Sequence, residues 1–523
     1  MNYLIKGDIN LKININKLLI LIPTLITFLI VLIPTLKYQW PFSWDIIFHI
    51  EYAKIYSEQG YQFQYNYPPL FHLMLVFLGN IFNNQYFQIA RFLQPILATI
   101  IVFSISYVAK KFYGNIAGIS AGFLILSSYL IFRIMLPIPE NLALIFLIFS
   151  VYFYYISYNK NKLKYALISG ILLLITFGIH RYTPLFLILI ISLFTLVELI
   201  IYKNLSVLKN YATFLISSVI AIIIAAFAIL LLNPNLIFEI LQQGILIYSN
   251  YLITSSNINS YNIYQYIKFF GPLLLIFSLI GAIFSLKKMV KIGICLIIWT
   301  IAIFLISNAY LFGLYLDSSR FLIYILIPLS MLGGYGLSRI YYKLKDLKRF
   351  SSSISAGFLV LIFIISSISG VITLIEPNIN HFYANTSLGD VQIAPPSQFE
   401  VDIANWFNEN GDDKKNVIVS NGFTGVFLKT VTNMSINPNF EDYNKNTSES
   451  EFNKKNIGYI VLDKRLTFQS TNGTFYMKET SSELDQSYKL FFYSRNINDN
   501  LNKIIPSYAQ VVYENKDFII IKI

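Results

Sequence analysis

Charge and cysteine are scarce in this sequence. Only 13% of its 523 residues are charged, whereas 56% are hydrophobic. A chain this long with so few charges is not typical of a soluble protein, and it predicts a polytopic membrane protein. The single cysteine, Cys295, lies inside an apolar run, which excludes a disulfide framework and a cysteine-based metal site.

Acidic residues are also few, and the net charge is +12. The excess of lysine and arginine lies mostly in short loops between apolar segments, which argues against a nucleic-acid-binding protein and indicates membrane orientation. The positive-inside rule places the N-terminal tail and five basic loops in the cytoplasm. These loops cover residues 110–114, 159–164, 202–209, 287–291 and 339–349.

The apolar segments predict about 11 membrane spans in residues 1–376, since each is long enough to cross a bilayer. The N-terminus is then cytoplasmic, and a last span carries the chain outward across the plasma membrane. The spans are 18–36, 86–109, 114–133, 139–157, 165–180, 182–202, 211–232, 266–286, 292–310, 320–338 and 352–375.

One further apolar segment, 67–82, is short and opens with two prolines. A crossing there would place Lys110 and Lys111 outside, so we predict a juxtamembrane helix within a first outer loop, 37–85. Twelve spans, with 67–82 crossing, is the alternative.

The composition changes near residue 376. Residues 377–523 are rich in Asn, Ser, Asp and Lys, with short strand-like runs such as "NVIVS", "GYIVLD" and "DFIIIKI". A helical pattern precedes them and ends at Gly411. This region predicts a small external α/β domain on a mainly helical membrane protein.

Acidic, basic and imidazole side chains collect at the predicted outer ends of the spans. Ionisable residues at the membrane edge are costly and usually functional. A carboxylate can accept a proton from a hydroxyl nucleophile, and arginine can hold a phosphate with two hydrogen bonds. Such a set suits a lipid-borne phosphate donor attacked by a hydroxyl. Its members are Asp45, His49, Glu51, Arg91, Arg133, Glu140, His180, Arg181, Asp317 and Arg320.

The order of five segments resembles the GT-C-fold membrane glycosyltransferases, which use polyprenyl-phosphate-linked sugars. Protein O-mannosyltransferases and lipid A aminoarabinose transferases are members of that group. The segments are "WDIIFHIEYAKIYSEQG", "YPPLFHLMLVFLG", "RIMLPIPENLALIFL", "GIHRYTPL" and "SSRFLIYILIPLSMLGGYGLS". The W-W-D-x-G signature of oligosaccharyltransferase catalytic subunits is absent, so transfer of a whole glycan to asparagine is not expected.

The resemblance implies that Asp45 is the catalytic base and that Glu140 is the acidic residue of the next outer loop. Ser43 is placed to cap the helix that begins near Asp45, and His49, one turn on, shares its predicted face. An interfacial helix with a merely polar face is the structural alternative. Asp45 and His49 also resemble half of a metal site, but no third ligand is evident. We therefore expect no cofactor, and a divalent metal ion is the less favoured alternative.

The resemblance places His180 and Arg181 near the lipid phosphate. We predict that Arg91 and Arg320 contact the same donor. An ion pair with Asp317, three residues earlier, is the alternative role for Arg320. Anchoring to lipid headgroups is the alternative role for Arg181.

The sequence therefore predicts an inverting glycosyltransferase that transfers one sugar from a polyprenyl-phosphate donor to a glycan, lipid or protein hydroxyl. A non-catalytic lipid or glycan translocator is the main alternative, but it would need polar groups near the centres of spans. A structural envelope protein is a third interpretation, which leaves the polar residues at the membrane edge unexplained.

Overall fold

A computed structural model describes most of the chain. The described residues are 18–43, 45–60, 67–232, 261–313, 318–347, 352–375, 395–419, 422–437, 448–463, 468–471, 474–477 and 505–523.

The N-terminal part is helical and contains α1 to α15. These helices are α1 (Leu21–Lys37), α2 (Asp45–Gln59), α3 (Leu70–Ile81), α4 (Tyr86–Tyr113), α5 (Asn115–Leu126), α6 (Ile131–Met135), α7 (Pro139–Asn159), α8 (Leu163–Ile179), α9 (Thr183–Ile200), α10 (Val207–Leu232), α11 (Ile263–Phe270), α12 (Pro272–Lys287), α13 (Lys291–Ser307), α14 (Leu322–Asp346) and α15 (Ser352–Ile375). Two 3₁₀ turns, Ala309–Phe312 and Ser318–Phe321, precede α14.

Within the described ranges, six helices are long and apolar enough to cross a membrane, or seven if α11 and α12 form one span. Five further apolar helices have 12 to 17 residues: α1, α3, α5, α8 and α13. The chain is a multi-pass membrane protein, and the predicted count of about 11 spans stays a prediction. At 12 residues α3 is about 18 Å long, shorter than the roughly 30 Å hydrocarbon layer, and its position along the membrane surface stays a prediction.

Two predicted spans are not continuous helices. The segment 114–133 breaks after Leu126, and a short second helix, α6, follows. The segment 266–286 bends by 97° between α11 and α12. Gly271 forms that bend at φ +77°, and a Cβ there would lie 2.4 Å from the Ser127 carbonyl oxygen, so only glycine fits.

Glu198, an acidic residue near the end of an apolar run, has partners that the sequence does not reveal. It is fully buried, and its carboxylate accepts from Lys291 Nζ at 3.3 Å and from Asn204 Nδ2 at 3.1 Å. The pair joins the end of α9 to the start of α13, and so Glu198 fixes the packing of two helices.

The C-terminal part contains a mixed five-stranded sheet among its described residues. Its elements are α16 (Gln398–Asn410), β1 (Asn416–Val419), α17 (Gly422–Val431), β2 (Ser435–Asn437), α18 (Glu449–Lys454), β3 (Ile457–Asp463), β4 (Phe468–Thr471), β5 (Thr474–Met477), β6 (Gln510–Glu514) and β7 (Phe518–Lys522). The strand order is β2-β1-β3-β7-β6, and β4 pairs separately with β5. Strands β2, β1 and β3 are parallel, whereas β7 and β6 are antiparallel to their neighbours.

The sheet is covered on both faces, which explains its strongly apolar strands. Val417, Val461 and Ile520 pack with Phe407 of α16 in the main core. Alternate residues on the same strands, such as Ile418 and Ile460, pack with Phe452 of α18 on the other face. The predicted helix before the first strand is α16, with Gly411 as its C-cap.

Candidate active site

Asp45 begins α2 and is exposed, although the helix around it is buried. Its backbone N–H donates to Ser43 Oγ at 3.2 Å, so Ser43 caps this end as its position predicts. Ser43 has φ +80°, a left-handed backbone that turns the chain into the helix. Ile46, Ile47 and Ile50 are fully buried, which fixes the helix. Asp45 is accessible from outside the protein, although protein atoms surround it closely enough to desolvate it.

Two arginines and a second carboxylate act on Asp45. Desolvation by the surrounding protein raises the pKa of the Asp45 carboxyl above its ordinary 3.8. Arg133 and Arg320 lower the pKa of Asp45, and Glu140 raises it. A base beside two cations, with a pKa closer to neutrality than an ordinary aspartate, suits proton acceptance next to an anionic leaving group.

Glu140 lies in the first turn of α7 and is 4% exposed. Its Oε2 is 2.5 Å from Arg133 Nη2, so the carboxylate is ion-paired as well as placed at a helix N-terminus, where negative charge is stabilised. Asn141 Nδ2 donates to the carbonyl oxygens of Arg133, Ile134 and Leu136 at 2.6, 3.0 and 2.7 Å. These bonds hold α6 in place and with it the Arg133 guanidinium.

A series of hydrogen bonds links the Arg133–Glu140 ion pair to the loop before α9. His180 Nδ1 is 2.8 Å from Thr183 Oγ1, which is 2.8 Å from the hydroxyl of Tyr324 in α14. Tyr324 in turn is hydrogen-bonded to Glu140. These hydrogen bonds connect α7 and α14 to the loop before α9. The positions of Glu140 and His180 therefore depend on one another.

Arg181 and Arg320 complete what we call the polar cluster: Asp45, Arg133, Glu140, His180, Arg181 and Arg320. The Arg181 Cζ atom lies 4.6 Å from the centre of the Tyr67 ring, and Arg320 Cζ lies 5.4 Å from that of Tyr182. Cation–π contact restrains the orientation of each guanidinium. Three arginines against two carboxylates give the polar cluster a net positive charge.

Three of the four histidines in the chain surround Tyr67. The Tyr67 ring lies 5.0 Å from His49, 5.6 Å from His72 and 6.4 Å from His180. His49 Nδ1 is 2.9 Å from His72 Nε2, and the two residues are 7% and 0% exposed. His49 is therefore packed against α3, while Asp45, one turn earlier, stays exposed.

Burial keeps these imidazoles uncharged near neutral pH. It lowers the pKa of His49 well below 6.5, that of His72 to about 3 and that of His180 to about 4. Neutral histidines cannot hold a phosphate by charge, so that role falls to the arginines. Tyr67, Thr183 and Tyr324 belong to this site but carry no sequence signal that separates them from ordinary core residues.

Like His49, the predicted site residue Arg91 lies outside the polar cluster. Arg91 Nε donates to the Thr35 carbonyl at 2.6 Å, and its other nitrogens bond Gln88 and the Leu36 carbonyl. The guanidinium thus caps the end of α1, and donor binding by Arg91 stays a prediction. Asp317 lies outside the described residues.

The other side of α2 contacts the C-terminal part of the chain. Glu51 forms an ion pair of 2.5 Å with Lys429, and Lys54 Nζ donates to the Thr430 carbonyl at 2.5 Å. Trp40 packs edge-on against Phe427, with ring centres 5.1 Å apart. A cleft of about 500 Å³ opens here, but no member of the polar cluster lines it. Helix α17 therefore supports the helix that carries Asp45.

The described residues contain no group of three or more His, Cys, Asp or Glu side chains that could hold a metal ion. In the predicted half-site of Asp45 and His49, His49 is buried against His72 of α3, whereas Asp45 is exposed.

Comparison with known proteins identifies the fold. No protein-family model and no curated protein matches the sequence. Among solved structures, the oligosaccharyltransferase AglB of Archaeoglobus fulgidus, with an inhibitory peptide and a dolichol-phosphate, superimposes with a TM-score of 0.62 and 14% identity over 96% of this chain and 80% of that one. ArnT of Cupriavidus metallidurans bound to undecaprenyl phosphate gives 0.58 and 10% identity over 97% of both chains.

The mycobacterial arabinofuranosyltransferase AftD gives a TM-score of 0.51 and 11% identity, over 86% of this chain and 35% of that one. All three are GT-C-fold membrane glycosyltransferases, so the chain has the GT-C fold that its segments resemble. One of the AglB structures contains zinc and sulfate.

Proposed function

We propose that this chain is an inverting glycosyltransferase that transfers a single sugar from a polyprenyl-phosphate donor to an acceptor hydroxyl. The observation that carries the proposal is the exposed Asp45 carboxylate beside Arg133 and Arg320. Two of the similar structures contain a dolichol-phosphate or undecaprenyl phosphate, which supports a lipid-phosphate donor. The active site would face the exterior of the plasma membrane, as would residues 377–523.

The reaction is a direct displacement at the anomeric carbon. The acceptor oxygen forms the new glycosidic bond while the bond between the anomeric carbon and the phosphate oxygen breaks, and the lipid phosphate leaves with the electron pair. The hydroxyl proton moves to Asp45. A single displacement from the face opposite the leaving group inverts the anomeric configuration.

The arginines of the polar cluster take the phosphate. Charge develops on the leaving oxygen in the transition state, and preorganised guanidinium groups stabilise it. Arg181 and Arg320 are held on tyrosine rings, and Arg133 is held by Glu140. Glu140 acts here by positioning Arg133, because its buried carboxylate is ion-paired with that guanidinium. Its predicted role as a second catalytic carboxylate is the alternative.

Purified protein incubated with a panel of radiolabelled polyprenyl-phosphate sugars tests this proposal. We expect time-dependent release of free lipid phosphate and a product larger than the acceptor by one sugar. Transfer of a preassembled glycan would instead indicate oligosaccharyltransferase activity. Movement of the intact donor between the leaflets of a vesicle, without cleavage, would indicate the translocator.

A further inference from the structure

An aromatic groove lies at the other end of α7 from the polar cluster. It has a volume of about 410 Å³ and is formed by α4, α7 and the start of α8. Its lining residues are Phe103, Tyr107, Phe149, Tyr152, Phe153, Ile156, Lys160 and Tyr165.

The groove is polar at one end and apolar at the other. Lys160, Ile156 and Tyr152 follow one another at intervals of four residues, so they lie on one face of α7 and its C-cap. Phe149 lies about 16 Å deeper than Lys160, close to the thickness of one leaflet. A groove of this depth, with a lysine at one end and aromatic side chains along its length, is complementary to a lipid in shape and polarity.

Three tyrosine hydroxyls in the groove have no hydrogen-bond partner among the described residues. Tyr107 and Tyr165 lie close enough to interact electrostatically with Tyr152. Among the residues that the structure describes, none forms a hydrogen bond to these three hydroxyls. An O–H group that faces hydrocarbon without an acceptor is unfavourable, so the three donors favour a ligand that brings oxygen atoms into the groove.

Two more lysines lie near the Lys160 end of the groove. Lys111 Nζ lies 5.1 Å from the centre of the Tyr107 ring, and Lys164 Nζ lies 5.4 Å from that of Tyr165. Together with Lys160 they place three positive charges at one end of the groove. Basic pockets between membrane helices are suited to anionic lipid headgroups.

We propose that this groove holds one anionic phospholipid from the leaflet next to the basic loops. Lys111, Lys160 and Lys164 bind the headgroup phosphate, and the tyrosine hydroxyls donate to oxygens of the glycerol backbone. One hydrocarbon chain lies along Phe103, Phe149 and Ile156. The site differs from the donor site because Glu140 and Lys160 lie at opposite ends of α7, about 30 Å apart. It does not depend on the proposed reaction.

Native mass spectrometry tests the lipid site. We expect the detergent-solubilised protein to retain one dioleoylphosphatidylglycerol molecule at collision energies that remove dioleoylphosphatidylcholine. Lys160→Gln and Tyr152→Phe should each weaken retention, Lys160→Gln about tenfold, since a charge-assisted contact is lost. Ile156→Trp should abolish it by filling the groove.

Two residues outside the groove provide matched control substitutions. Lys209→Gln removes an exposed lysine of another basic loop, and Ile171→Trp adds the same bulk at a lipid-facing position of α8 that is 41% exposed. Both should leave retention unchanged. Equal retention of the two lipids, or equal losses in the groove and control variants, would overturn the proposal. Lys160→Gln and Tyr152→Phe change the side-chain volume little. They therefore test lipid binding in the groove even if Ile156→Trp does not fold.

Discussion

The guanidinium of Arg133 lies 2.5 Å from the carboxylate of Glu140, and both groups act electrostatically on Asp45. The pair joins two elements that follow one another in the chain, α6 and α7. Its carboxylate also contacts Tyr324, which is almost 200 residues away. The polar cluster is therefore built from packing between distant helices around one buried ion pair.

Removing one member of that pair should destabilise the fold. Glu140→Gln removes the ion pair with Arg133, at an expected cost of about 3 kcal/mol, the low end for buried pairs because Arg133 is partly exposed. Thermal unfolding in detergent measures this. The double variant Arg133→Gln/Glu140→Gln should recover part of the loss. Additive losses in the double variant would show that the two side chains do not interact.

The buried histidines predict a loss of stability in mild acid. His180 has a folded-state pKa of about 4, whereas in the unfolded chain it is near 6.5, so the unfolded state binds more protons between these values. Stability should therefore fall as pH decreases from about 6.5 toward 4. The variant His180→Asn keeps a hydrogen-bonding group but does not titrate, so its unfolding midpoint should fall less between pH 7 and 5. Parallel pH curves for the two proteins would contradict the burial of a neutral His180.

Arg181 and Arg91 make a matched pair of arginine substitutions. A charge-assisted contact to phosphate is worth about 1.5–3 kcal/mol, so Arg181→Ala should lower kcat/KM by about tenfold or more. Arg181→Lys should retain part of the activity, because it keeps the charge but not the planar fork. Arg91→Ala should lower thermal stability through the lost cap on α1, and a higher KM for the donor in that variant would support the predicted donor contact of Arg91. Wild-type kinetics in Arg181→Ala would contradict the assignment of Arg181 to the donor site.

The orientation of the chain is testable with cysteines in a Cys295→Ser background. Lys162→Cys and Asn453→Cys change exposed residues in a basic loop and in the C-terminal part, respectively. An impermeant thiol reagent should label Asn453→Cys in intact cells and Lys162→Cys only after lysis. Labelling of Lys162→Cys in intact cells would reverse the orientation and place the polar cluster at the cytoplasmic face.

The sequence predicts the local features well because they depend on nearby residues. The Ser43 cap, the short α3 and the end of α16 at Gly411 follow from side-chain chemistry and segment length. The bend at Gly271 is not evident from the hydropathy of the sequence, because residues 266–286 form one continuous apolar run.

Long-range packing accounts for the remaining differences. Arg91 donates to carbonyl oxygens at the end of α1, and the sequence carries no signal for that contact. Thr183 and Tyr324 enter the site only because α9 and α14 pack together, and a single sequence carries no signal for that contact.

The most direct test of the account is the pH dependence of turnover in Asp45→Asn and a control variant of the same helix. Asparagine keeps the size and most hydrogen bonds of aspartate but cannot accept the acceptor's proton, so transfer should fall by about 10²- to 10⁴-fold. Binding of the lipid-linked donor should be unchanged. Glu51→Gln, which faces Lys429 rather than the polar cluster, should keep near wild-type turnover.

In the wild-type protein the acid limb of the pH profile should lie above that of an ordinary aspartate, because the pKa of Asp45 is raised. Asp45→Asn should abolish that limb. Near wild-type turnover in Asp45→Asn, with the acid limb intact, would contradict the assignment of Asp45 as the base.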